Sequence, residues 1–139
     1  IYILGAGGAA KAICYALDSV GVDTVHVWNR NTKRIRNLDG LLSQIVVWDG
    51  VCPLPNQAII IQCTPLGQNG EDPLEHHVLH SDQIVLDLIY KTTPLIKRMQ
   101  WRNLYIYGSY LYMDYWSIFR YPFWQILKTS SSKRVWITF

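Results

Sequence analysis

Ile1-Tyr2-Ile3-Leu4 runs directly into Gly5-Ala6-Gly7-Gly8-Ala9-Ala10, and a helical pattern starts at once behind it. This junction constrains the fold more than any other part of the chain. The apolar run reads as a buried strand, and Gly5 permits the tight turn that must follow it. Gly7 lets the backbone approach a pyrophosphate, and the small Ala10 lets the helix pack closely on the strand. Free N–H groups of the first helical turn, backed by the positive end of the helix dipole, then face the phosphates. Gly5, Ala6, Gly7, Gly8 and Ala9 are therefore candidate cofactor-binding residues.

A helix over Ala9 to Val20, stopped by Gly21, leads to a second strand at Thr24-Val25-His26-Val27-Trp28-Asn29. A site that prefers NAD usually ends this strand in an acid that binds the ribose hydroxyls. Here it ends in Asn29-Arg30-Asn31-Thr32-Lys33-Arg34, with no acid and three cations. A carboxylate there would repel a 2′-phosphate, whereas a guanidinium can hold one bidentately. The residues point to NADP, with Asn29, Arg30, Asn31 and Arg34 as candidate contacts. A solvated basic turn that opens the next helix is the competing reading. Lys11 reads as a surface cation near the same phosphates.

The alternation of strands and helices continues. A helix is expected over Thr32 to Leu42, and a third strand over Gln44 to Trp48. Pro53 and Pro55 break the chain before an apolar strand, Ala58-Ile59-Ile60-Ile61-Gln62, of the kind buried on both faces of a parallel sheet. A loop from Thr64 to Pro73 follows, then a short helix over Leu74 to His80 and a strand over Gln83 to Leu88. Thr93 caps a helix to about Trp101, Leu104 to Tyr107 forms a last strand, and Gly108 opens a final helix. This order implies right-handed βαβ units in an α/β fold. The expected architecture is a Rossmann-like doubly wound parallel sheet in three α/β/α layers.

At 139 residues the chain fits one domain with a sizeable core. A net charge of +3 gives no reason to expect nucleic acid, and no apolar run is long enough to span a membrane. Cys14, Cys52 and Cys63 lack a close pair and read as reduced core residues of a cytoplasmic protein. Tyr and Trp crowd the last forty residues, a density that suits an interface with another domain or subunit, as in a homodimer, and equally a drifted sequence. His76, His77 and His80 invite a metal reading. A solvated segment is favoured there, and no metal is expected.

Five motifs, in order, resemble the NADP-binding domain of the shikimate dehydrogenases and their quinate/shikimate relatives. They are Leu4-Gly5-Ala6-Gly7-Gly8-Ala9-Ala10-Lys11-Ala12, Asn29-Arg30-Asn31-Thr32-Lys33-Arg34, Cys63-Thr64-Pro65-Leu66-Gly67, Asp87-Leu88-Ile89-Tyr90 and Gly108. The resemblance covers residues 1–115, leaving 116–139 unassigned. It implies that Cys63, Thr64, Pro65, Leu66 and Gly108 lie at the cofactor, and that Asp87, Tyr90 and Tyr115 lie at the substrate. Gln62 stands where the family has Asn, and Tyr115 where it has a substrate-binding Gln. Asp87 could equally cap a neighbouring turn, and Tyr90 could serve packing alone.

The implied reaction is NADPH-dependent reduction of 3-dehydroshikimate to shikimate, a step in aromatic amino-acid biosynthesis. The family's catalytic Lys and Asp belong to an N-terminal substrate domain that no stretch of this sequence resembles. No catalytic residue is therefore assigned. The expectation is a cofactor domain that meets its small-molecule substrate through a separate half and is inactive alone. The alternative is a non-catalytic NADP-binding or interaction module derived from that family. The second and third motifs together set the chain apart from methylene-tetrahydrofolate dehydrogenases and glutamyl-tRNA reductases.

Overall fold

The computed structural model describes residues 1–100 and 105–108. The strands are β1 (Tyr2–Leu4), β2 (Thr24–Trp28), β3 (Gln44–Val47), β4 (Ile59–Gln62), β5 (Ile84–Asp87) and β6 (Tyr105–Gly108). Helix α1 (Gly8–Ser19) follows β1, and α2 (Pro94–Gln100) joins β5 to β6. All pairings are parallel, in the order β3-β2-β1-β4-β5-β6. The chain moves outward from β1 to β3 and then returns to place β4 on the other side of β1. That reversal creates a crevice beyond the carboxyl ends of β1 and β4, where doubly wound sheets bind ligands.

Side chains of the buried strands alternate between two cores, as the period of a strand requires. Ile3, Val25, Val27 and Ile61 pack with Ile13, Cys14 and Leu17 of α1. Leu4, Ile60 and Val85 pack on the opposite side with Leu95 and Met99 of α2. The sheet is thus covered on both faces, which explains why β4 reads as an unbroken apolar run.

Two expected helices differ. The segment after β2 is a 3-10 helix over Thr32–Leu38, shorter than the expected span to Leu42. Its bonds run three residues back, from Arg34 N–H to Asn31 C=O and from Asp39 N–H to Arg36 C=O. Asn31 caps it by accepting the Lys33 N–H at 3.1 Å. Leu74 to His80 is the end of one turn, with the His77 N–H bonded to the Leu74 carbonyl, followed by irregular chain, and not a helix. Arg98 of α2 takes the carbonyls of Leu74 and Glu75, at 2.7 and 3.1 Å, and its Nε lies 3.3 Å from the Asp72 carboxylate. Acceptors that a helix would use are held from outside the segment.

No helix covers the passage from β3 to β4. Asp49 accepts the N–H groups of Val51 and Cys52, both at 2.8 Å, and Gln83 donates to the Pro55 carbonyl at 2.8 Å. These bonds fix the proline-bearing loop. The helix expected after Gly108, with Tyr115 and residues 116–139, lies outside the described residues.

Candidate functional site

Gly5 stands at the centre of the crevice. Its φ is +113°, and a Cβ there would lie 3.1 Å from both the Cys63 carbonyl and the Thr64 Cγ2. Any side chain would be strained by the backbone and crowded by the turn after β4. The Gly5 N–H donates to the Trp28 carbonyl at 2.7 Å, and the Cys63 N–H donates to the Leu4 carbonyl at 2.8 Å. The glycine turn is therefore fixed between the ends of β2 and β4.

Beyond this point the loop opens. Gly7 is the N-cap of α1, no side chain caps the helix there, and no acid occupies the first helical turn. Built Cβ atoms on Gly7 and Gly8 meet nothing within 4 Å. Gly7, Gly8 and Ala9 are exposed, whereas Gly5, Ala6 and Ala10 are buried. The first-turn N–H groups thus point into open space at the positive end of a helix. This geometry fits the pyrophosphate of a dinucleotide.

On the β2 side, Asn29 donates to the Asn31 carbonyl at 2.7 Å and holds the chain as it leaves the strand. Arg30 and Arg34 are exposed, and neither has an acidic partner among the described residues. Two uncommitted guanidinium groups at this exit suit a phosphate dianion. Lys11 is exposed nearby in sequence, on the first turn of α1.

On the β4 side a cleft of about 600 Å³ opens among Ala9, Thr64, Pro65, Gln68, Tyr90 and Lys91. Its volume suits a small-molecule site. Cys63 and Leu88 also reach it. Burial pushes the Cys63 thiol up to about 12, which leaves it un-ionised and unreactive. Tyr90 is 66% exposed at the rim. The Lys91 ammonium donates to the Gln68 carbonyl and so joins the loops that follow β4 and β5.

Asp87 takes a different position. It is fully buried, and one carboxylate oxygen accepts the Ile89 N–H at 3.0 Å while the other accepts the Thr93 hydroxyl at 2.7 Å. Of its two readings, the capping one is what its contacts describe. Gly108 is opposite Asp87 in the β5–β6 register. Tyr115 falls outside the described residues.

Gln62, Thr93, Gln68 and Lys91 contribute to this region and are absent from the sequence-level candidates. The signal for Gln62 was its place in the third motif, where the family has Asn. Among the described residues no group of three or more His, Cys, Asp or Glu could hold a metal ion. His77 instead packs on Trp48, with ring centroids 5.2 Å apart. No helix among them is long and apolar enough to cross a membrane.

No family profile matches the chain. A shikimate dehydrogenase (NADP(+)) from Nitrobacter winogradskyi is 34% identical over 110 residues, covering 73% of this chain and 39% of that relative. The shikimate dehydrogenase structure from Aquifex aeolicus is 28% identical, with a TM-score of 0.64, over 78% of this chain and 41% of that one. Shikimate 5-dehydrogenase from Thermus thermophilus, solved with NADP(H) and shikimate, is 25% identical. Its TM-score is 0.62, over 76% of this chain and 41% of that one. Quinate dehydrogenase from Corynebacterium glutamicum, solved with NAD, is also 25% identical, with a TM-score of 0.61 over 76% and 42%. The chain spans about a third to two fifths of the length of the curated relatives it matches. It is a partial homologue of the shikimate dehydrogenase family and has that family's Rossmann-like fold.

Proposed function

We propose that residues 1–115 form the NADP-binding domain of a shikimate dehydrogenase. With a substrate-binding half it would reduce 3-dehydroshikimate to shikimate, a step in aromatic amino-acid biosynthesis. The observation that carries this reading is the glycine turn at the crevice, with open helix N–H groups and two unpaired guanidinium groups at the end of β2. The relatives named as NADP(+) enzymes, and the Thermus neighbour solved with NADP(H), support the same cofactor.

Within this proposal Gly5 shapes the turn, and the N–H groups of Gly7, Gly8 and Ala9 hold the pyrophosphate. Asn29 and Asn31 shape the exit from β2, where Arg30 and Arg34 bind the 2′-phosphate. Thr64, Pro65 and Leu66 border the nicotinamide, with Cys63 beneath them and Gly108 opposite Asp87. Tyr90 and Tyr115 meet the substrate. Bound NADPH supplies the hydride, and the chain's share is to orient the nicotinamide face towards the ketone carbon. Groups that move the substrate's proton belong to the separate half.

The three cysteines, Cys14, Cys52 and Cys63, are free, which supports a reducing, cytoplasmic setting. A homodimer is part of the same proposal, and sedimentation velocity reads it directly.

Parallel titrations of the purified chain with NADPH and NADH, followed by tryptophan fluorescence, test the cofactor assignment. A strong preference for NADPH is expected. Equal affinity for both would remove the 2′-phosphate site, and no binding of either would favour the non-catalytic interaction module.

A further inference from the structure

Gln62 is the last residue of β4 and is fully buried. A primary amide at such a position is costly unless its polar atoms are paired. The three hydrogen bonds found for it all go to one short segment. Its Oε1 accepts the Thr64 N–H and the Thr64 hydroxyl, both at 3.0 Å. Its Nε2 donates to the Leu66 carbonyl at 2.8 Å. The Thr64 hydroxyl in turn accepts the Leu66 N–H at 3.1 Å. Both acceptor positions of the amide oxygen are filled, and the turn over Thr64, Pro65 and Leu66 folds around this side chain, with one backbone bond of its own, from the Gln68 N–H to the Pro65 carbonyl at 3.1 Å.

This turn borders the cleft at Thr64 and Pro65, and it also contacts the glycine turn through Gly5. Its far end is seated too. A Cβ on Gly67 would lie 2.9 Å from Thr93 Cγ2, so the backbone rests directly on the residue that caps α2. A buried amide that served the core alone would bond to core elements. This one serves the wall of the ligand cleft.

We infer that Gln62 is a positioning residue that holds the Thr64–Leu66 turn in the conformation that receives the nicotinamide end of the dinucleotide. The inference rests on the cofactor reading above. The adenosine end sits across β1, beside Arg30, so Gln62 acts far more on the nicotinamide half of the ligand than on the other. A merely structural residue would affect both halves alike.

The test compares NADP⁺ with 2′-phospho-ADP-ribose, which carries the same phosphates and lacks nicotinamide. Both are titrated into the full chain and into Gln62→Met, which keeps the length and removes every hydrogen bond. The wild-type chain is expected to bind NADP⁺ more tightly of the two. In Gln62→Met, NADP⁺ should weaken about tenfold, the scale of one lost hydrogen bond, while 2′-phospho-ADP-ribose should weaken far less.

Gln62→Glu provides a second route should the methionine variant fail to fold. A protonated carboxyl can replace the amide donor to Leu66, and an ionised one cannot. Its NADP⁺ affinity should therefore recover as pH falls, with no matching change for 2′-phospho-ADP-ribose. Parallel weakening of the two ligands in either variant overturns the inference and leaves the cofactor reading intact. Equal binding of the two by the wild-type chain also overturns it. If the wild-type chain binds neither, the cofactor reading fails and this inference fails with it.

Discussion

Thr93 donates its hydroxyl to the Asp87 carboxylate across 2.7 Å, with both side chains buried where β5 leads towards α2. The same hydroxyl oxygen accepts the Ile96 N–H at 3.2 Å and so caps the helix. Thr93→Ala removes the cap and leaves one carboxylate oxygen without its partner. A loss of about 1–2 kcal/mol is expected, as for other helix N-caps. Urea unfolding measures it, and an unchanged midpoint would remove this pair from the account of stability.

Burial lifts the Asp87 carboxyl above its ordinary range, against the pull of its bonds from Thr93 and Ile89. The folded chain then keeps a proton that the unfolded chain has released, in a window beginning near 3.8. Stability from this group is full below that window and is lost as pH rises through the folded pKa. Asp87→Asn should flatten this part of the pH–stability curve. A slope identical to that of the wild type would refute the assignment.

Gly5 and Gly7 should fail in opposite ways. Gly5→Ala forces a Cβ onto a φ of +113° and to within 3.1 Å of the Cys63 carbonyl, so the fold should lose about 1–3 kcal/mol. Gly7→Val places its Cβ in open space, with φ at −99°. The fold should survive while NADPH binding disappears. Thermal unfolding and ligand titration of the two variants separate the effects, and retained NADPH affinity in Gly7→Val would sink the pyrophosphate assignment.

Arg30→Ala should weaken NADPH by about 1.5–3 kcal/mol, the worth of a hydrogen bond to a charged group, and spare NADH. Calorimetry with both cofactors provides the comparison. Equal losses would place Arg30 elsewhere in the binding mode.

The 139-residue chain on its own should give no NADP⁺-linked oxidation of shikimate. It matches about two fifths of the length of its curated relative, and the proposal assigns proton transfer to the separate half. Turnover followed at the NADPH absorbance band would contradict that division of labour.

The strands were legible because burial on both sides of a parallel sheet leaves apolar runs, as in Ile59-Ile60-Ile61. The glycine turn was legible because Gly5 and Ala10 meet steric demands that act within a few residues. What escaped local reading depends on distant partners. Leu74 to His80 carries a helical pattern, yet Arg98 takes two of its carbonyls from α2. Asp87 carries both a capping and a ligand reading, and its bond to Thr93, six residues on, is not visible in the sequence. Gln62 stood out only as the residue in the place of the family's Asn, and its role appears when the chain turns back over it at Thr64 and Leu66.

β1 is only three residues long, yet it is bonded on both edges, with Leu4 level with Trp28 on one side and Gln62 on the other. The exits from β2 and β4 consequently leave the sheet at one height. β1 works as a ruler laid between the cations that follow β2 and the turn that follows β4. Slipping its register against one of these neighbours by one residue would offset the two exits by about 3.3 Å and turn that neighbour's side chains to the opposite face. A ligand laid across both exits is therefore gauged by length, before any single contact is made.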